Sequence, residues 1–216
     1  MIMKKSMFLL IALFGCAISY AQTTVILKPN AVIGKDVAIM NYDNGCIATI
    51  DSISPADMNF ANDTVLWMKD WTWNAIGCSG GTVRSLLCFT GLDSIPQNAT
   101  ILSATLRLYG TNADRNTSYP GAPSGFYANT VVVQQVIYPW DENTVTWNTQ
   151  PTTTTVNQFT LPQSTSEYNW NCSVSNSNLV AMVQSMVSGN NYGFLFNLQN
   201  EAHYRNLAFS SSDCSD

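Results

Sequence analysis

A jelly-roll-like antiparallel β-sandwich with one short helix is the fold that the sequence predicts for this chain of 216 residues. Hydrophobic residues make up 46% of it and charged residues only 11%, whereas an average soluble domain has roughly 25% charged residues. Short segments alternate between apolar and polar residues, which is typical of strands buried on one face. One segment near the C-terminus has a helical period instead. We therefore expect a single all-β domain, because sandwiches of this size commonly form one domain.

Seven short segments have the alternation expected of strands. In 101–109, Leu106 and Leu108 alternate with polar neighbours, so one face of this strand is predicted to be buried and the other wet. Pro139 ends another of these segments, because proline has no backbone N–H to donate. The predicted strands are 24–27, 37–40, 82–89, 101–109, 130–138, 192–198 and 204–210.

A single helix is predicted at 178–188. Its apolar residues recur at i, i+4, i+7 and i+8, namely Leu179, Val183, Met186 and Val187. Ser175 or Ser177 is placed to cap its N-terminus, and Gly189 is placed to end it. Its polar face carries no charge, which argues against a membrane-surface role. A single amphipathic helix among strands most simply plugs one open end of the sandwich.

Residues 1–21 have the pattern of a signal peptide. Two lysines precede an apolar run at 7–18, and small residues around Ala21 form a cleavage site. The run is about a dozen residues long, shorter than the roughly 20 that a membrane-spanning helix needs. A bacterial lipoprotein site at Cys16 is a minor alternative. We expect a mature domain at 22–216, exported by the Sec route to the cell surface, the medium or the periplasm.

The mature chain is predicted to be acidic. Without Lys4 and Lys5, seven basic residues stand against 14 acidic ones, which gives a net charge of −7. So few scattered cations provide no footprint for phosphate backbones, and nucleic acid is excluded as a partner. No second apolar run of 18 residues follows the leader, so no membrane span is expected.

Five cysteines remain after removal of the leader. Cysteines in the loops of exported proteins usually pair. Cys46 and Cys78 both lie beside glycines and are the first choice for a disulfide, although other pairings stay open. Cys88 lies in an apolar run and is expected to be a small buried hydrophobe. The single histidine and the lack of any CxxC pattern argue against a zinc site.

A set of motifs in a fixed order gives the chain a family resemblance. Each motif is common by itself, but their order and spacing are specific. They are RSLLCF at 84–89, LDSIP at 92–96, ATI at 99–101, SATLRLY at 103–109, WDENTVTWN at 140–148, NYGF at 191–194 and FSSSD at 209–213. Over 24–216 the chain resembles the DNRLRE domain family, which is similar to the disaggregatase-related and alginate-type carbohydrate-binding modules.

This resemblance implies an exported β-sandwich that binds glycans or mediates adhesion at the cell surface. The leader and the opening at 34–36 resemble members from the Bacteroidetes. Family members usually continue beyond the SSD segment at 211–213 into a final strand. We therefore expect this chain to lack its last strand and to leave one strand, the N-terminal one, with an unpaired edge.

Three tryptophans within seven residues form the first candidate ligand site. If the segment is extended, Trp67, Trp71 and Trp73 lie on one face with Lys69 among them. Aromatic faces stack on the apolar faces of sugar rings while nearby polar groups bond the hydroxyls. Arg84 could supply a cation. The alternative is structural: the rings cover one side of the sandwich, and Arg84 forms a salt bridge.

The long irregular segment at 111–129 carries the second candidate site. Tyr119 and Tyr127 lie there, and loops of this length are usually functional or mobile. Recognition commonly uses loops held on a rigid scaffold. The alternative, that these rings pack the loop onto the sheet, stays open.

No catalytic site is predicted. Asp141 and Glu142 are adjacent, and adjacent residues of an extended segment point to opposite faces, so they cannot serve one substrate as an acid/base pair. The family resemblance implies a structural corner there. His203 is the only imidazole, and no nucleophile motif accompanies it. No cofactor is expected, except that Asp36 and Asp213 could hold a structural calcium ion.

The function expected from the sequence is non-catalytic binding of an extracellular polysaccharide or a cell-surface glycan. Two alternatives remain at this point. One is a scaffold or stalk domain without a small ligand, and the other is an accessory fragment of a polysaccharide lyase or hydrolase.

Overall fold

A computed structural model describes residues 22–43, 53–73, 77–111, 128–164 and 170–214. Within these ranges the chain forms nine β-strands and the α-helix α1 (Ser177–Ser188). The strands are β1 (Asp36–Tyr42), β2 (Val65–Trp73), β3 (Cys78–Leu87), β4 (Leu106–Leu108), β5 (Val131–Val136), β6 (Thr153–Leu161), β7 (Cys172–Val174), β8 (Phe194–Leu198) and β9 (Arg205–Ser210). None of the helices in this part of the chain has the length and apolar character needed to span a bilayer.

Antiparallel pairing joins seven strands into a sheet of order β6-β5-β8-β3-β2-β9, with β1 paired to β3 beside this path. The branch lies at β3, which pairs with β1 along 81–87, with β2 along 78–83 and with β8 along 85–87. A strand has two edges, so β2 and β8 occupy successive parts of the edge opposite β1. The sheet therefore divides at β3 into two halves. An isolated bridge between Gly110 and Phe209 joins the β4-β7 pair to β9.

The main core lies between these two halves. Strands β2, β4 and β9 contribute buried apolar residues from one side, and β5, β6 and β8 contribute them from the other. These include Met68, Leu108 and Leu207 on the first side, and Val133, Phe159 and Phe196 on the second. Burying such side chains supplies the main stabilisation of a sandwich. The predicted fold, an antiparallel β-sandwich with one helix, is confirmed.

Helix α1 closes this core. It buries Leu179, Met182, Met186 and Val187. The Asn176 side chain accepts a hydrogen bond from the backbone N–H of Leu179 at 2.8 Å, so the cap is Asn176 and the predicted caps Ser175 and Ser177 are wrong. Gly189 follows the last helical residue, as predicted. The predicted helix is confirmed to within one residue at its start.

Most predicted strands are present, but their lengths differ. The segment 101–109 contributes only Leu106–Leu108 to a strand, and the strand predicted at 24–27 is wrong because no regular structure forms there. Strand β6 was not predicted, since its sequence TTTVNQFTL is mostly polar. It lies at the edge of the sheet, where a polar strand needs few apolar residues.

The N-terminal strand β1 lies at an edge. It pairs with β3 on one side, and on its other side the described residues provide only an isolated bridge between Ala38 and Phe60. The absence of a final strand, on which the expected unpaired edge rested, stays a prediction. The leader 1–21, with Cys16, lies outside the described residues, so its processing stays a prediction.

The corner that follows β5 covers the outer face of β1, β3 and β8. Trp140 is buried there, and its Nε1 donates to the backbone oxygen of Tyr192 at 2.9 Å. The Asp141 carboxylate accepts from the backbone N–H of Asn143 at 3.0 Å. Glu142 Oε1 instead accepts from the backbone N–H of Asp36 at 2.5 Å. The two adjacent carboxylates thus have separate structural partners.

Candidate functional site

Strand β2 presents the predicted aromatic residues beside a lysine. Alternation along the strand puts Trp67, Lys69 and Trp71 on one face. The Lys69 Nζ lies 5.2 Å from the ring centre of Trp67 and 5.8 Å from that of Trp71. An ammonium group at this distance from an aromatic face is attracted to it. The structure therefore brings three of the predicted ligand residues together.

Tyr204 extends this group of residues towards solvent. Trp71 is only 7% exposed, so its ring is not a free platform. Its ring instead meets that of Tyr204 edge to face, with centres 5.4 Å apart and an interplanar angle of 83°. Tyr204 is 37% exposed. We call Trp67, Lys69, Trp71 and Tyr204 the β2 aromatic strip.

Tyr204 has an unusual backbone conformation. Its φ is +68°, in the left-handed region that costs a residue with a side chain about 1–2 kcal/mol. Strained residues of this kind concentrate at functional sites. The sequence prediction missed this residue as a site, because the alternating pattern of 204–210 marks it only as a strand start.

The connection between β8 and β9, residues 199–204, holds Tyr204 in place. Arg84 on β3 forms two parallel bonds to Glu201 of this connection, Nε to Oε1 at 2.7 Å and Nη2 to Oε2 at 2.8 Å. Its Nη1 donates to Gln150 Oε1 at 2.8 Å, and its guanidinium lies 4.5 Å from the ring centre of Trp147. Arg84 therefore anchors the connection, which is the structural alternative considered for it.

A second anchor holds the same connection. His203 Nδ1 lies 2.7 Å from Asp70 Oδ1, and Asp70 Oδ2 accepts from Thr82 Oγ1 at 2.7 Å. Asp70 is 5% exposed, whereas the His203 side chain is 49% exposed.

Burial and the nearby charge of Asp70 raise the pKa of Tyr42, so that phenol stays neutral.

The side chains of three other predicted ligand residues lie outside the described part of the structure. Trp73 belongs to β2 and pairs with Cys78, but its side chain lies outside the described part of the structure. Tyr119 and Tyr127 fall between the described ranges 77–111 and 128–164. Their roles stay predictions.

The cysteines have separate structural settings. Cys88 and Cys172 are free thiols. Cys88 is buried, and burial raises the pKa of its thiol to about 11, which agrees with a small hydrophobe. Cys78 is buried as well. Cys46 lies outside the described residues, so its pairing with Cys78 stays a prediction.

Carboxylates gather where β1 meets the corner and the C-terminal segment. Asp36 is 1% exposed, and its Oδ2 accepts from the backbone N–H of Ser212 at 2.9 Å. Its Oδ1 makes no hydrogen bond within the described ranges. Burial, with further contributions from the charges of Asp36 and Asp213, raises the pKa of the Glu142 carboxyl. However, no three Asp, Glu, His or Cys side chains among the described residues could hold one metal ion, so the calcium expected at Asp36 and Asp213 stays a prediction.

The substitution Asp36→Asn is expected to stabilise the fold near neutral pH. Burial raises the pKa of the Asp36 carboxyl, with a further contribution from the charge of Asp213. A raised carboxyl pKa favours the protonated folded state, so its stabilisation is lost as the pH rises through that pKa. Asparagine stays neutral and places a donor near Glu142 and Asp213. We expect a gain on the order of 1–3 kcal/mol above pH 7.

Urea unfolding between pH 4 and pH 8 measures this effect. The advantage of Asp36→Asn over the native chain should grow with pH and then level off. Asp43→Asn, which removes an exposed carboxylate, is the control and should give no comparable gain. Equal unfolding free energies of the native and Asp36→Asn chains at every pH would contradict the prediction.

Comparison with known protein families places the chain beside a family of binding modules. Residues 47–216 match the family model described as carbohydrate-binding module family 96. This range includes the β2 aromatic strip, Arg84 and the connection that carries His203 and Tyr204. No curated protein matches the chain.

Proposed function

The chain belongs to carbohydrate-binding module family 96, and we propose that it binds an extracellular polysaccharide at the β2 aromatic strip without cleaving it. The proposed location of the site depends on one observation, the position of the Tyr204 ring. This ring is partly exposed, rests on the buried ring of Trp71 and is held in a strained backbone conformation. A partly exposed aromatic ring that is held in place before a ligand arrives is suited to stacking on a sugar ring.

The chemistry of the strip suits sugar rings. An aromatic face offers apolar contact to the C–H groups of a pyranose, while a neighbouring amine donates to hydroxyl or carboxylate oxygens. Tyr204 supplies the face and Lys69 supplies the amine, with its Nζ between the rings of Trp67 and Trp71. The buried ring of Trp71 packs against the ring of Tyr204 and holds it in position.

The two anchors favour a binding role for the β8–β9 connection because they make its surface rigid. The bidentate bond between Arg84 and Glu201 and the bond between Asp70 and His203 leave the connection little freedom. Preorganised aromatic residues lose less conformational entropy on binding. The leader at 1–21 and the resemblance to the DNRLRE domain favour a secreted or surface-attached module, and we include that location in the proposal.

Affinity electrophoresis tests the proposal. The purified chain is run in native gels that contain hydroxyethyl cellulose, laminarin, xylan, polygalacturonate or alginate. We expect retardation in at least one of these gels, with no new reducing ends or unsaturated products after incubation with the same polymer. Unchanged mobility in all of them would support the scaffold alternative, and product formation would support the lyase or hydrolase alternative.

A further inference from the structure

We propose that His203 contacts the bound glycan directly, its Nε2 accepting a hydrogen bond from a sugar hydroxyl, and that Asp70 is the positioning residue that fixes this imidazole. The inference rests on the proposed carbohydrate binding. It adds a polar contact beside Tyr204, whose ring centre lies 6.3 Å from that of His203 at an interplanar angle of 72°.

The proton of the neutral imidazole is fixed by Asp70. A carboxylate only accepts hydrogen bonds, so the contact of 2.7 Å between Asp70 Oδ1 and His203 Nδ1 requires the proton to be on Nδ1. Thr82 Oγ1 donates to the other oxygen, Oδ2, at 2.7 Å and so restrains the carboxylate through its second oxygen. Nε2 of the neutral ring is then an acceptor.

Nε2 is the free end of this chain of bonds. It makes no hydrogen bond with any residue that the structure describes, and the side chain is 49% exposed. Burying a carboxylate costs several kcal/mol before its bonds are counted. The hydrogen bond that a buried carboxylate makes to one ring nitrogen sets which nitrogen carries the proton and leaves the other to face a ligand.

The backbone around His203 is shaped to receive the ring. Gly80 has φ +127°, and a Cβ placed there would lie 2.7 Å from His203 Cε1, so the imidazole packs directly over this glycine. Arg205 Nη1 donates to the carbonyl oxygen of Ala202 at 3.0 Å and to that of His203 at 3.3 Å. The ring and its backbone are therefore both fixed before any ligand arrives.

The first test uses the fact that the chain has one histidine. A long-range ¹H–¹⁵N spectrum of the uniformly labelled chain at pH 8 shows only two imidazole nitrogens. We expect Nδ1 to have the shift of a protonated nitrogen and Nε2 that of an unprotonated one. In Asp70→Asn this preference should weaken, because a neutral amide holds the Nδ1 proton less strongly than a carboxylate. A ring protonated on Nε2 in the native chain would overturn the proposal.

The second test measures binding to whichever of the five polysaccharides retards the native chain most. His203→Ala should weaken retention about tenfold, the loss expected for one hydrogen bond that leaves a polar partner unpaired. Asp70→Asn should weaken it by a smaller factor. Gln158→Ala removes an exposed side-chain hydrogen bond to Gln134 on the other half of the sheet and is the control, expected to bind like the native chain.

The outcomes separate the two proposals. If the native chain binds and a folded His203→Ala chain binds equally well, the contact proposed for His203 is wrong while the proposed function stands. If the native chain binds none of the five polysaccharides, the proposed function fails, and the contact falls with it. Addition of the retarding polysaccharide should also move the Nε2 resonance more than the Nδ1 resonance.

Discussion

Tyr204→Ala is expected to weaken polysaccharide binding by about 30-fold, the loss of ~2 kcal/mol that is typical when an aromatic residue central to an interface is removed. The physical reason is that Tyr204 presents the exposed ring of the β2 aromatic strip, while Trp71 beneath it is buried. Retention in the affinity gel that retards the native chain most is the measurement.

Two further variants separate binding from folding. Tyr204→Gly removes the same ring but relieves the strain at φ +68°, because glycine adopts this region freely. It should therefore lose binding like Tyr204→Ala while resisting urea better than Tyr204→Ala. Tyr109→Ala removes another exposed tyrosine and should bind normally. Native-like binding by both Tyr204 variants would rule out the strip as the glycan site.

Gly193→Ala is expected to destabilise the fold by about 3 kcal/mol or more, at the upper end of single-residue effects. Gly193 has φ +78°, and a Cβ there would lie 2.2 Å from the backbone oxygen of Leu87 and 2.7 Å from Cys88 Cα. Both are backbone atoms, which cannot rotate away. Relief of the clash would have to separate β8 from β3 where the two halves of the sheet meet.

Gly77 provides the matched control for this prediction. Its φ of +81° is almost the same, but a Cβ there would meet no atom of the described residues within 4 Å. Gly77→Ala should therefore show only the conformational cost, about 1–2 kcal/mol. Urea unfolding of both variants measures the difference. Equal losses would mean that the strand contact at Gly193 adds nothing beyond the backbone conformation.

The fold was largely predictable because apolar residues recur with a clear period in the segments that form its core. Strand β5 and helix α1 show periods of 2.0 and 3.6 that survive in the structure. Strand β6 was not found, because a polar edge strand has only Phe159 and Leu161 to bury. The branch at β3 could not be predicted either. The sequence of a strand does not show that it pairs with three other strands.

The candidate site was predictable only where it follows one strand. Trp67, Lys69 and Trp71 come together because alternation fixes their common face. Tyr204 and His203 were not identified as site residues. Their positions depend on a left-handed backbone angle and on contacts with Asp70 and Trp71, which are far away in sequence. An imidazole without a local motif gives no signal until its partner is known.

The two anchors of the β8–β9 connection also bear on how the protein folds. Asp70 and His203 are 133 positions apart, and Arg84 and Glu201 are 117 apart. Contacts between such distant positions form slowly, because a long loop must close first. We therefore expect the strip to be completed late in folding, after the C-terminal strands have joined β2 and β3. A polysaccharide bound across β2 and the connection would stabilise this last-formed region and lengthen the lifetime of the native state.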